Sequence, residues 1–263
     1  MSTLAHTVTD SATMLRRNIK RMIRYPGLTV FMVGGPIVFL LLFVYVFGGT
    51  LGAGLGGVSG GRAEYLRYVV PGIMLIAVTG AATGPAITVN MDMTEGIIAR
   101  FRTMAISRAA VLTGHVLGSV LQTVVALVVV TGLAVALGFR SDASVLEWVA
   151  VLGILVLLSF ALTWLAVGCG LIAGSPETAS NLPMPLVALP FLGSGFVPTE
   201  SMPAALRWFA EYQPFTPVIE TIRGLLLGTP IGNSAVVAVA WCVAIALASY
   251  LWSRSMYNRK TVR

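Results

Sequence analysis

Six long stretches of the chain contain no Asp, Glu, Lys or Arg. They are Leu28–Gly61, Tyr68–Met91, Ala109–Phe139, Trp148–Pro176, Thr178–Thr199 and Gly224–Ser253. Each can hold a helix of about 20 residues, the length that crosses a bilayer core. The pattern predicts an all-α membrane protein with six spans. These fall near Thr29–Gly48, Val69–Thr88, Val111–Leu137, Val149–Ile172, Pro183–Phe196 and Ala235–Leu251. The fifth is short and carries Pro185 and Pro190, so a kinked or broken helix is expected there. Composition agrees: 57% of the 263 residues are hydrophobic and 10% charged, against roughly 25% charged in a soluble domain. A soluble fold of this length could not bury so much apolar surface.

The charged residues matter by position. Six spans place both termini on one side. That side then holds 12 of the 17 basic residues: Arg16, Arg17, Lys20, Arg21, Arg24, Arg100, Arg102, Arg108, Arg254, Arg259, Lys260 and Arg263. The other side holds Arg62, Arg67, Arg140, Arg207 and Arg223. The excess predicts cytoplasmic termini. The net charge of +7 therefore reads as orientation rather than as nucleic-acid binding. Residues 10–25 carry Leu15, Ile19, Met22 and Ile23 on one helical face, with basic residues largely elsewhere. This predicts a helix lying in the headgroup plane, capped near Asp10 and stopped before Pro26. No signal-peptide cleavage site is clear after Leu28. The Gly48–Gly61 stretch, GGTLGAGLGGVSGG, reads as a flexible external connector.

Little catalytic chemistry is present. Cys169 and Cys242 lie in apolar runs, without the clustering a disulfide framework or a zinc site needs. Lys20 and Lys260 are the only lysines, and neither follows a glycine loop, so no nucleotide-binding loop exists. The expected span interiors hold no acid, and His115 near the start of the third span is read as an interfacial packing residue. No metal or cofactor is expected on this chain. The class implied is a membrane channel or transporter driven by another component.

The stretch MTEGIIARFRTMAISR, Met93–Arg108, stands out. Asp92 and Glu95 sit where a helix cap and an acidic first turn belong. Ile97, Phe101 and Met104 follow at helical spacing, flanked by Arg100 and Arg102. Residues 92–108 are thus expected to form a short amphipathic cytoplasmic helix. It either lies on the membrane or inserts its apolar knobs into a groove on a cytosolic protein. The wider stretch, Glu95–Gln122, resembles the ABC type 2 transporter permeases. Glu95, Gly96, Arg100, Arg102, Met104, Ile106, Ser107 and Arg108 match the pattern, and Ala105, His115 and Ser119 depart from it. The resemblance implies a coupling helix that engages an ATPase through Glu95, Gly96, Ile97, Arg100, Phe101, Arg102, Met104, Ser107 and Arg108.

A second block, GFVPTESMPAALRWFAEYQPFTPVIETIRGLLLG (Gly195–Gly228), is similar to the daunorubicin-resistance branch of that family. Phe196, Val197, Pro198, Met202, Pro203, Pro214, Pro217, Arg223 and Gly228 carry the likeness. Residues 199–228 are expected to form two short outer helices, capped by Ser201 and Thr216, with Glu220 paired to Arg223. The resemblance implies that this hairpin re-enters the outer leaflet. It also implies a single permease domain, paired with a second copy and two copies of a separate ATPase that bind ATP and Mg. Amphipathic drugs or lipids would be exported from a bacterial membrane. Thr79, Thr83, Met184, Phe191 and Phe196 are the candidate lining of the path. A lipid or polysaccharide permease, and a membrane anchor for a cytosolic enzyme, are the alternatives.

Overall fold

A computed structural model describes residues 26–55, 61–94 and 108–260, together with Arg16, Ile19, Lys20 and Arg24. Among these residues there is helix but no strand. Helix α1, Pro26–Leu42, continues through a π-helical turn at Phe43–Phe47 into α2, Gly48–Leu55. Three long helices follow: α3, Arg62–Thr94, α4, Arg108–Ala136, and α5, Val145–Ile172. Short pieces come next, α6 at Pro176–Asn181 and α7 at Met184–Ala188, then a 3-10 turn at Leu189–Leu192. After a second 3-10 turn at Thr199–Ser201 come α8, Ala204–Tyr212, and α9, Phe215–Leu227. The last helix is α10, Ser234–Lys260. Among the described residues, five helical stretches are long and apolar enough to cross a membrane: Val33–Ala53, Arg62–Thr94, Leu112–Ala136, Val145–Ile172 and Ser234–Tyr257.

Helix α3 is the axis of the bundle. It is apolar over most of its circumference, and residues Val69–Thr79 are all buried. A helix apolar on every side belongs inside a core. It contains Pro71 and Pro85. Pro85 has no N–H for the carbonyl of Ala81, and Ser119 of α4 supplies the missing donor at 3.3 Å. Glycine lets two neighbours approach its backbone. A Cβ on Gly170 of α5 would run into the Ala86 carbonyl, and one on Gly72 would come within 2.8 Å of the Gly195 oxygen. Helix α5 starts on a complete capping box, Ser144 with Glu147. Helix α9 stops at Gly228, whose φ of +68° is left-handed.

The expected fifth span differs most. Residues Pro183–Phe196 form neither one helix nor a stretch long enough to cross as one, because Pro183, Pro185 and Pro190 remove three backbone donors. The chain from Ala173 to Gly195 nevertheless runs along more than half of α3. At its start, the Ala173 carbonyl accepts from Asn90. At its far end, Gly195 lies against Gly72. Eighteen helical residues separate those two points on α3, about 27 Å at 1.5 Å per residue. The Gly-rich stretch also differs, since Gly48–Leu55 is helical. Asp92 itself belongs to the helical run Arg62–Thr94 and is buried. Most of the expected interfacial helix at 10–25, and residues 95–107 of the expected coupling helix, lie outside the described residues.

Candidate functional site

Two polar centres lie at opposite ends of α3. The first joins its C-terminal turns to α4 and α5. His115 Nε2 is 3.0 Å from Asp92 Oδ2, and both side chains are 4% exposed. His115 Nδ1 is 3.5 Å from the Thr88 hydroxyl, which itself donates to the Pro85 carbonyl. Asn90 donates to the carbonyls of Gly170 and Ala173, fastening the end of α5. Leu112, Val116, Trp164, Leu171 and Tyr257 seal the centre with apolar surface. From His115 a polar stripe continues along α4 at every fourth residue, through Ser119 and Thr123. Ser119 accepts from Thr163 of α5, and Thr123 accepts from Ser159 of α5. Each hydroxyl has a partner, as hydrocarbon surroundings demand.

The second centre holds the turn after the broken segment. Tyr65, Tyr68 and Gly72 share one face of α3. Tyr68 donates to the Ser194 carbonyl at 2.9 Å, and Tyr65 donates to that of Phe196 at 3.4 Å. Arg223 of α9 adds donors to Ser194 O at 2.6 Å and Tyr68 O at 3.3 Å. Its guanidinium lies 3.9 Å from the Tyr68 ring centre, a cation–π geometry. Beside this turn, Phe191 and Phe196 stack at 4.7 Å and meet Phe39 and Phe43 of the first span. A cavity of about 210 Å³ opens between Leu51, Tyr65, Phe196 and Pro198. A larger apolar groove, about 500 Å³, lies between α4 and α5 and is lined by Leu127, Val135, Trp148, Leu152 and Leu155.

The expected path residues are only partly gathered. Phe191 and Phe196 meet. Thr79 is buried and Thr83 half-buried, and their hydroxyls donate to carbonyls of their own helix, Ile76 and Gly80. Met184 is exposed on α7. Of the coupling set, Arg108 opens α4, while Glu95, Gly96, Ile97, Arg100, Phe101, Arg102, Met104 and Ser107 lie outside the described residues.

The outer hairpin has its two helices, but their caps differ from expectation. Pro203 and Pro214 occupy the cap positions of α8 and α9. Ser201 donates instead to the Pro198 carbonyl, and Thr216 is inside α9 with Pro217 in its first turn. Met202 ends the preceding 3-10 turn. Glu220 and Arg223 take different partners: Glu220 accepts from Ser234, and Arg223 turns to the two carbonyls. On α8, Arg207 pairs with Glu211 at 2.7 Å, which holds the guanidinium pKa above its ordinary value. Trp208 and Tyr212 are exposed beside that pair.

Sequence reasoning missed both centres. His115 and Asp92 were visible singly, but their meeting depends on α3 running on past Thr88 to Thr94. Of the second centre, Phe191, Phe196 and Arg223 were singled out in the sequence, but their meeting with Tyr65 and Tyr68 was not.

The axial helix, the proline-broken segment and the two-helix hairpin give the chain a definite order of parts. The ABC-2 type transporter family model matches residues 10–227, which take in every described helix except α10. The chain belongs to the ABC-2 type transporter family. It is 31% identical over 226 residues to a daunorubicin resistance ABC transporter permease protein, DrrB1, of Streptomyces coeruleorubidus. That alignment covers 86% of this chain and 77% of the relative. It is 25% identical over 213 residues to a probable doxorubicin resistance ABC transporter permease protein, DrrC, of Mycobacterium tuberculosis, over 81% of this chain and 76% of the relative. Family membership and the apolar helices make it a multi-pass membrane permease.

Proposed function

We propose that this permease is the transmembrane half of an ATP-driven exporter of amphipathic, drug-like molecules. The likeness to the daunorubicin-resistance permease over 86% of the chain carries this reading. Two copies form the pathway, and two copies of a separate ATPase supply ATP and Mg chemistry from the cytoplasm. Residues 95–107 make the contact with the ATPase, through the apolar knobs Ile97 and Phe101 and the arginines around them. The chain crosses six times, with residues 176–196 as the broken fifth passage. Their course from the level of Asn90 to that of Gly72 supports this. Both termini are then cytoplasmic, and the α8–α9 hairpin is external. Trp208 and Tyr212 suit a helix at the outer membrane interface.

The test is reconstitution in vesicles with the ATPase. ATP should drive accumulation of a fluorescent anthracycline, and the permease alone should hydrolyse no ATP. Movement of a labelled lipid, without the anthracycline, would shift the assignment to lipid export. Failure to bind any ATPase would leave an anchoring role.

A further inference from the structure

We infer that Asp92 and His115 form a clamp that makes α3 and α4 move as one unit when residues 95–107 are displaced. This rests on the coupling role proposed above for that segment. The argument begins with position. Residues 95–107 join α3, Arg62–Thr94, to α4, Arg108–Ala136, and are attached to these two helices and to nothing else by covalent bonds. The Asp92–His115 contact is, among the described residues, an ion-pair contact that ties the two attachments together, within a few turns of both. It is buried on all sides, where a polar contact is strongest and its loss most costly.

The clamp is anchored beyond the pair. His115 reaches α3 through each ring nitrogen, to Asp92 and to Thr88. Ser119, one turn further along α4, bonds the carbonyl that Pro85 leaves without a donor. Thr163 and Ser159 extend the same seam to α5. Asn90 fixes the end of α5 to the same turn of α3. A push on the segment therefore meets three helices bonded through side chains at one level. Without the pair, α3 and α4 can separate at that level and the push is absorbed locally.

The experiment uses the full permease, alone and with its ATPase. The variants are Asp92→Asn, His115→Gln and the exchange of Asp92→His with His115→Asp. In the permease alone, both single variants should raise hydrogen exchange over residues 88–94 and 108–116. In the complex they should keep ATPase binding and hydrolysis while transport per ATP falls about tenfold, a typical size for a coupling contact. The exchanged pair should recover part of both losses. Unchanged hydrogen exchange and unchanged transport per ATP in both single variants would overturn the clamp. So would equal loss in the single and exchanged variants. If a single variant fails to insert, Thr88→Val removes only the hydroxyl, and exchange must still rise over the same residues. A wild-type complex that moves no substrate defeats the export reading, whereas the exchange measurement on the permease alone still decides the clamp.

Discussion

Gly170 and Arg223 each hold a contact that no other residue type reproduces. At Gly170 the obstacle is backbone: a Cβ would collide with the Ala86 carbonyl, which cannot rotate away. Gly170→Ala must therefore part α3 from α5, and overpacking of this kind costs roughly 1–3 kcal/mol. Gly174→Ala is the control, because a Cβ there meets nothing within 4 Å. Thermal unfolding in detergent should show a lower midpoint for the first and little change for the second; equal midpoints would refute the close crossing. Arg223 acts through one guanidinium nitrogen, Nη2, which bonds two carbonyls while the guanidinium lies over the Tyr68 ring. Arg223→Leu removes a charged donor from the Tyr68 and Ser194 carbonyls, at about 1.5–3 kcal/mol for hydrogen bonds of a charged group. Arg223→Lys keeps the charge but loses the planar stacking on Tyr68, so it should also lower the unfolding midpoint, by less. A Lys variant as stable as wild type would reduce Arg223 to a simple charge.

At the scale of the element, α3 tolerates Pro85 because α4 supplies a donor to the carbonyl it frees. That arrangement makes a signed prediction. Ser119→Ala should destabilise the protein by about 1 kcal/mol or more, since the Ala81 carbonyl loses its partner. Pro85→Ala restores a backbone N–H for that carbonyl, so Ser119→Ala should cost less in that background. Thermal unfolding of the four proteins closes the cycle, and simple additivity would show that Ser119 does not serve the proline-freed carbonyl. The same physics governs what was legible in the sequence. Helices α3, α4, α5 and α10 were readable because charge-free runs of spanning length have few alternatives in a bilayer. The break at residues 183–196 was readable from its prolines, but its course along α3 was not, because Gly72 and Gly195 are distant in sequence. Asp92 was read from the sequence only as the acid before a helical stripe. Its partner His115 is brought to it by the packing of two helices, which no local pattern encodes.

For the whole molecule the open question is how often the chain crosses, and charge and geometry bear on it independently. Charge favours an even number of passages: six leave 12 basic residues on the terminal side and five on the other. Geometry gives the broken segment about 27 Å of travel along α3, close to the roughly 30 Å of a hydrocarbon core. Along it Gln213 donates to the Leu189 carbonyl, and the next turn is bonded by Tyr65, Tyr68 and Arg223. Single cysteines at exposed sites separate the possibilities, in a background with Cys169 and Cys242 replaced. Six passages put Gly174→Cys and Arg259→Cys inside and Ala205→Cys outside. An impermeant maleimide added to whole cells should then label only position 205, and the other two should react after lysis. Were residues 176–196 to turn back without crossing, positions 174 and 205 would share a side and 259 would lie opposite. Outside labelling at 259 with none at 205 would therefore replace the six-passage arrangement with one of five.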